Sequence, residues 1–189
     1  MFENQMHPFQ NAYLTNRRNS QNLYALQYNT ALNQFRANLF KGRISRIKRR
    51  ILGHLERLYD LDTLKQDLAL RGSCYSGIQV VRITSIIGSE GRTTDFDMDF
   101  HPLSESTRER WVNMAIAYLG RITLPPIQLI QVGNAYFVRD GHHRISVCRH
   151  FGQVAMDAEV ITWKAAPPFP WQPCCSENPS LVKSLHLST

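Results

Sequence analysis

This sequence of 189 residues lacks long apolar runs and paired cysteines. No run approaches the roughly 20 apolar residues of a membrane-spanning helix, so no membrane span is expected. The first five residues contain neither a positively charged stretch nor an apolar one, so no signal peptide is predicted. The four cysteines lack the spacing of a metal site, and two of them are adjacent, which favours a reducing, cytoplasmic location. They are Cys74, Cys148, Cys174 and Cys175.

Acidic residues are scarce in the first part of the chain. Residues 1 to 72 hold 12 Lys and Arg but only 5 Asp and Glu, whereas residues 73 to 189 hold 10 of each. The whole formal charge of +7 therefore lies in the first part, which predicts a basic arm joined to a neutral domain. We divide the chain into a mobile Asn/Gln-rich end (1–20), a basic helical arm (21–72), a neutral domain (73–163) and a proline-rich tail (164–189) that wraps the domain through Phe169 and Trp171.

The arm has the spacing of amphipathic helices. Apolar residues recur at helical intervals over 28–39 and again over 44–58, and Gly42 either separates two helices or weakens a single one. The opposite face carries a cluster of cations: Lys41, Arg43, Arg46, Lys48, Arg49 and Arg50.

The basic helix face has four interpretations. It can contact a nucleic-acid backbone, lie on an anionic membrane, bind an acidic protein, or simply be a solvated face. No recognition-helix, zinc-finger or RNA-binding signature accompanies the charges, so base-specific reading is not predicted.

The neutral domain combines strand and helix patterns. A capping box of Ser106 and Glu109, an apolar face and a stop at Gly120 predict a helix. Gly133 and Asn134 predict a hairpin turn. The predicted strands cover 78–87, 127–132, 136–138 and 156–163.

The segment DGHHR follows the hairpin and begins a predicted helix that ends at Gly152. Asp140 is the predicted N-cap. The first turn then consists of Gly141, His142, His143 and Arg144. Unpaired backbone N–H groups and the helix macrodipole favour an anion there, and the arginine and histidine side chains can donate hydrogen bonds to it. The pattern predicts a phosphate-binding turn. The alternative is a capped helix whose histidines face water or bond core carbonyls.

The order of these elements, with "VRDGHHRISVCRHFG" after the hairpin, resembles the ParB/sulfiredoxin superfamily over residues 78–162. Members bind nucleotide phosphates at a G-x-x-R motif, matched by Gly141 to Arg144, often with an arginine in the loop after the first strand, where this chain has Arg92. The resemblance implies an α+β fold, a small mixed sheet with helices, here preceded by the basic helical region. It also implies a nucleotide ligand, ATP, ADP or CTP, with Mg²⁺.

Branches of that superfamily differ at the motif. The D-G-H-H-R form is most similar to the free serine kinase branch, which transfers phosphate from an adenine nucleotide to an amino-acid hydroxyl. Sulfiredoxin has its nucleophilic cysteine where this chain has His142, so sulfiredoxin chemistry is not expected. ParB proteins carry G-E-R-R followed by a helix-turn-helix domain, and the proline-rich tail does not resemble one.

Two functions follow from the resemblance. The first is phosphoryl transfer to a small hydroxyl acceptor such as serine, with Asp140 to Arg144 and Arg92 binding phosphate and with Glu90 or Asp95 accepting the acceptor's proton. The second is a non-catalytic or nucleotide-switched module that binds nucleic acid or an acidic partner through the basic helices. A homodimer is a further expected partner state.

The acidic segment DFDMDFH offers a separate metal hypothesis. If extended, it would place Asp95, Asp97 and Asp99 on one face with His101 beside them, and oxygen ligands suit Mg²⁺ or Ca²⁺. The glycine-bearing calcium-loop pattern is missing, and a solvated acidic strand explains the alternation equally well. Cys148, on the inner side of the helix after the motif, is predicted to be a core residue rather than a nucleophile.

Overall fold

The computed structural model describes residues 8–53, 57–68, 70–167 and 169–171, and in them the chain forms an α+β fold. The elements are α1 (Pro8–Ile51), β1 (Tyr59–Asp60), α2 (Leu61–Asp67), β2 (Leu70–Arg82), β3 (Ile86–Ser89), α3 (Arg108–Leu119), β4 (Ile127–Val132), β5 (Ala135–Asp140), α4 (His142–His150) and β6 (Ala155–Ala165), with short 3-10 turns at Ile83–Ser85 and Glu105–Thr107. No described helix has the length and apolar character that crossing a membrane requires.

The six strands form one mixed sheet in the order β1-β3-β5-β4-β6-β2. The pairs β1–β3, β3–β5 and β4–β6 are parallel, whereas β4–β5 and β2–β6 are antiparallel. The hairpin of β4 and β5 is therefore central, and the predicted turn at Gly133 lies between them with φ +60. The end of β5 leads directly into the predicted phosphate-binding turn.

One face of the sheet is covered by α4. Ile145 and Cys148 of this helix are buried in a core with Leu129, Val138 and Ala158, which project from three neighbouring strands. Burial also raises the pKa of the Cys148 thiol, so it is a thiol at neutral pH. The prediction that Cys148 is a core residue is confirmed.

A second helical layer lies outside α4, where α1 packs against α3. Phe35 of α1 and Trp111 of α3 are fully buried, with ring centroids 5.7 Å apart. Val147 of α4 completes this cluster, and the indole N–H of Trp111 donates to Ser146 Oγ at 2.9 Å. The basic arm is thus anchored on the neutral domain through the middle of α1.

The opposite face of the sheet is covered by α2 and by the segment after β6. Phe169 is buried and stacks on Trp171 with centroids 5.2 Å apart, and both belong to or pack on the cluster around Phe137. A Cβ at Gly133 would lie 2.6 Å from the Phe169 ring, so the hairpin glycine makes room for this aromatic. These contacts confirm the predicted docking of Phe169 and Trp171; residues 172–189 lie outside the described residues.

The structure decides between the two alternatives for Gly42 in the arm. Gly42 lies within a single helix, because α1 continues to Ile51; a Cβ at Gly42 would lie 2.6 Å from the Pro102 carbonyl oxygen, so the glycine lets a loop approach. Within α1, the apolar spacing beyond Leu39 does not mark a buried face, since Ile47 is 60% exposed and Ile51 is 78% exposed. Of the predicted mobile end, residues 1–7 lie outside the described residues, and the backbone of 8–20 belongs to α1.

Two local predictions in the neutral domain are wrong. The strand predicted over 78–87 is two strands, β2 and β3, because a 3-10 turn at Ile83–Ser85 carries the chain from one edge of the sheet toward the other. The capping box of Ser106 and Glu109 does not form: Ser104 accepts from the Ser106 N–H, and Thr107 precedes α3 without a side-chain cap.

Candidate anion-binding site

The turn between β5 and α4 leaves the N-terminus of α4 without a side-chain cap. Gly141 has φ +105 and is the N-cap, with no side-chain hydrogen bond capping the helix. A Cβ at Gly141 would lie 2.5 Å from Ile127 Cγ2, so only glycine fits. The prediction of Asp140 as N-cap is wrong, because this residue ends β5 and its carboxylate pairs with Arg144 one turn along the chain.

A cleft of about 280 Å³ opens at this turn. Its walls come from the turn itself, from the loop after β3 and from the first half of α3. The lining residues are Arg92, Arg110, Asn113, Met114, Asp140, Gly141, His142, His143 and Arg144. The structure therefore brings Arg92 to the predicted motif and adds three α3 residues that the sequence did not indicate.

His142 is buried and connects the motif to the loop after β3. Its Nε2 lies 2.6 Å from Ser89 Oγ, which also accepts the Arg92 backbone N–H at 3.2 Å. Its ring stacks on Phe96 with centroids 6.0 Å apart. Burial, followed by the charges of Arg92 and His143, lowers the pKa of His142 to about 4. The residue therefore positions Arg92 rather than supplying a cation itself.

His143 presents an unused polar atom at the cleft. Its Nε2 is buried and has no hydrogen-bond partner among the described residues. The ring meets Phe96 edge-on at 5.3 Å. Burial, then Arg92 and Arg110, lowers the pKa of His143 to about 4, against the opposing charges of Asp95 and Asp140. An anion in the cleft would offset the positive charges of the two arginines, so it would raise the pKa of His143 part of the way toward its usual value.

Arg144 and Arg92 differ in exposure and in the number of contacts that they make with the protein. Arg144 has a side chain only 12% exposed and donates to the carbonyl oxygens of Pro125 (2.7 Å) and Pro126 (2.5 Å) as well as to Asp140. It braces the start of β4 against α4. Arg92 is 44% exposed, and its one ion pair among the described residues is a long contact with Asp95 at 3.9 Å, so its guanidinium is the more available hydrogen-bond donor.

The two predicted proton acceptors lie in different surroundings. Glu90 accepts from Lys65 Nζ at 2.9 Å and pairs with Arg139 Nε at 3.3 Å, and it is not among the residues that line the cleft. Asp95 is also absent from the lining, but its ion pair with Arg92 places it beside the cleft.

The acidic segment is a folded loop rather than an extended strand, with Phe100 at φ +58. Asp97 is fully buried; its Oδ1 accepts the backbone N–H groups of Asp99 and His101, and its Oδ2 lies 2.9 Å from His101 Nδ1. Asp97, Asp99 and His101 do lie close enough to form a metal-ligand cluster. The two carboxylates are already occupied by donors, however, because Asp99 pairs with two arginines, at 2.8 and 2.5 Å. A cation bound at this cluster would therefore have to displace some of these donors.

The predicted basic surface lies on the second half of α1. Arg49 is one of the two arginines that pair with Asp99, so the structure assigns it to a contact between α1 and the neutral domain. Arg46 is half-buried. The remaining cations of the cluster are exposed: Lys41, Arg43, Lys48 and Arg50.

We expect the free energy of unfolding to decrease as pH falls from about 6.5 toward 4. The unfolded chain binds protons at both motif histidines near pH 6.5, whereas the folded pKa of each is about 4, so the unfolded state takes up more protons in that interval. Denaturant titrations at pH 7.0, 6.0 and 5.0 measure the slope. The variant His142→Asn should give a shallower slope than the parent chain; an unchanged slope would contradict the neutral, buried histidine.

No family model, curated protein or solved structure matches this chain. The likeness to the ParB/sulfiredoxin superfamily therefore stays a prediction from the motif and the order of elements. The sequence does not indicate Arg110, because nothing in the α3 sequence distinguishes it from Arg108, and both side chains are exposed. Only the packing of α3 against α4 selects it.

Proposed function

We propose that the cleft at the β5–α4 turn binds the phosphate groups of a nucleotide. The observation that carries this proposal is convergence: Arg92 from a loop, Arg110 from α3 and the N-terminal turn of α4 line one cleft. The backbone N–H groups of a helix N-terminus and the guanidinium fork are both suited to phosphate oxygens.

Charge and size support a polyphosphate rather than a neutral ligand. The lining contains three arginines and one aspartate, and its two histidines are neutral near pH 7. The volume of about 280 Å³ lies just below the roughly 300 Å³ at which pockets for drug-sized ligands begin. The phosphates would occupy the cleft, and the base and ribose would lie outside it. ATP, ADP and CTP are thus the proposed ligands on the strength of the motif.

Mg²⁺ would accompany such a ligand, because it is usually held by phosphates together with one or two carboxylates. Asp140 is the one carboxylate in the lining, and Asp95 lies next to Arg92. Either could contribute an oxygen ligand to an ion already bound by phosphate.

Phosphoryl transfer to a small hydroxyl acceptor such as serine is the activity we propose for the cleft. Such transfer depends chiefly on positioning and charge neutralisation, which the arginines would provide. Asp95 is the better-placed candidate to accept the acceptor's proton, since it adjoins Arg92. Glu90 is held by two cations and would more readily brace α2 and β5.

Calorimetric titration with ATP, ADP and CTP, each with Mg²⁺, tests the binding proposal. We expect saturable binding of at least one of them, and binding of none would overturn it. Turnover is then followed by ³¹P NMR with and without serine. If phosphoserine forms, Asp95→Asn should slow it far more than Glu90→Gln; the reverse order would transfer the role to Glu90.

A second candidate function is nucleic-acid binding by the exposed face of α1. The observation in its favour is that α1 packs on the domain near Phe35, while Arg43 and Lys48 remain exposed beyond that contact. Phosphate contacts release counterions, so the affinity for mixed-sequence DNA or RNA should fall steeply with salt.

The double variant Arg43→Gln/Lys48→Gln should reduce the slope of log affinity against log salt by about 2. The matched control, Arg82→Gln/Lys164→Gln, removes the same charge from exposed positions on β2 and β6. An equal decrease in slope in the two variants would mean that the net charge of the protein, and not the position of the cations on α1, determines binding. An acidic protein partner would be indicated instead if polyglutamate binds and nucleic acid does not.

A further inference from the structure

We propose that a second cleft, between α1 and α4, binds a small tetrahedral oxyanion, namely a phosphate group. The cleft has a volume of about 240 Å³ and shares no lining residue with the cleft at the β5–α4 turn. Its walls come from α1, from the loop before α3 and from the second half of α4. The lining residues are Asn38, Lys41, Asp99, His101, Ser146, Arg149 and His150.

Two buried polar side chains line this cleft. Asn38 is 2% exposed and Ser146 is 1% exposed. Ser146 Oγ accepts the indole N–H of Trp111 at 2.9 Å. An amide N–H and a hydroxyl both donate to oxygen, so these two side chains can contact an oxyanion in the cleft.

The charged groups favour an anion over a cation. The cations around the cleft are Lys41, Arg49 and Arg149, opposed by Asp97 and Asp99, which leaves one positive charge in excess when the histidines are neutral. Burial opposes ionisation of Asp99, but its two arginine partners hold its pKa below the usual value. This carboxylate therefore remains ionised and already paired, and Lys41 is left to attract a ligand.

The pKa of His150 also reflects the positive charge around this cleft. Burial, followed by the charges of Lys41 and His101, lowers the pKa of His150. Its Nε2 lies 2.8 Å from Gln34 Oε1, and its ring meets Trp111 edge-on at 5.5 Å. A bound anion would counter Lys41, so it should raise the pKa of His150 even without touching the ring.

The charge of the cleft limits the ligand. Its excess of one positive charge is smaller than the excess of two in the cleft at the β5–α4 turn, so inorganic phosphate or the phosphate of a small ester fits better than a nucleotide polyphosphate. An ammonium, a guanidinium, an amide and a hydroxyl are donors that suit the oxygens of one phosphate group. The ligand would join α1 to α4 and so strengthen the docking of the long helix.

The experiment uses the full chain carrying Arg92→Gln/Arg110→Gln, so that the cleft at the β5–α4 turn does not dominate the phosphate signal. Inorganic phosphate and glycerol phosphate are titrated separately by calorimetry, with chloride at matched ionic strength as reference. The pKa of His150 is followed by NMR in parallel. We expect saturable phosphate binding, an upward shift of the His150 pKa, and an affinity at least about 10-fold lower in Lys41→Gln, since hydrogen bonds to charged groups are the strong ones.

Lys48→Gln is the matched control, because it removes an exposed lysine of the same helix that does not line the cleft. Asn38→Asp is the second test: a carboxylate of the same shape should abolish phosphate binding while far-UV circular dichroism stays unchanged. The proposal is overturned if Lys48→Gln weakens binding as much as Lys41→Gln or if chloride moves the His150 pKa equally. Binding of Mg²⁺ or Mn²⁺ in place of phosphate would overturn it as well. A preference between the two phosphate sources identifies the ligand.

Discussion

Replacing Arg92 and Arg110 with glutamine is expected to weaken nucleotide binding by about 10- to 100-fold for each arginine, since hydrogen bonds between charged groups contribute roughly 1.5–3 kcal/mol. Both side chains line the cleft, and both lower the pKa of His143, so their charges act on the same point. The measurement is the dissociation constant for ATP, ADP or CTP by calorimetry. Arg144→Gln is a different experiment, because it also removes the hydrogen bonds to Pro125 and Pro126 that hold β4.

Arg108→Gln provides the matched control for the two arginines. Arg108 is exposed at the start of α3, two positions before Arg110, and does not line the cleft. Its replacement should leave the dissociation constant within about twofold, as expected for the screened charge of a side chain outside the cleft. If Arg108→Gln weakens nucleotide binding as much as Arg110→Gln does, the specific placement of Arg110 is wrong and a diffuse positive field explains the affinity.

Trp111→Ala is expected to lower the free energy of unfolding by about 3–5 kcal/mol, the usual cost of truncating a fully buried aromatic side chain. The Trp111 ring is the centre of the layer in which α1, α3 and α4 meet, and it contacts Phe35 on one side and His150 on another. Chemical denaturation followed by circular dichroism measures the loss. Hydrogen exchange along α1 should also accelerate, because the middle of this helix loses its main buried contact.

Two further variants separate the roles of the Trp111 side chain. Trp111→Phe retains most of the apolar contact but removes the N–H that donates to Ser146. The lost hydrogen bond should lower the free energy of unfolding by only about 1 kcal/mol, in addition to the effect of the smaller ring. Tyr75→Ala truncates an aromatic that is 66% exposed on β2 and should change stability by no more than about 0.5 kcal/mol. A small effect of Trp111→Ala would mean that α1 does not depend on this cluster.

Elements that depend on local interactions were predicted correctly from the sequence, whereas elements that depend on more distant contacts were not. The hairpin at Gly133 and the helix from the motif to Gly152 formed where their turn residues and periodicity placed them. The strand at 78–87 was misassigned because β-branched residues suit two successive strands as well as one. The cap of α3 was misplaced since several Ser and Thr residues precede it, and their backbone geometry decides among them.

The features that follow from the sequence alone are local: a glycine at the end of a strand, a helix N-terminus after it, and a cluster of cations on a helix face. These features follow from residue type and short spacing, because backbone sterics and helical periodicity act over a few residues. The side chains that share a cleft are set by tertiary packing. Arg110 and Lys41 each join a cleft through the packing of one helix on another, and Glu90 is drawn away by Lys65 and Arg139. Such convergence depends on contacts between residues distant in the chain, and no local pattern encodes it.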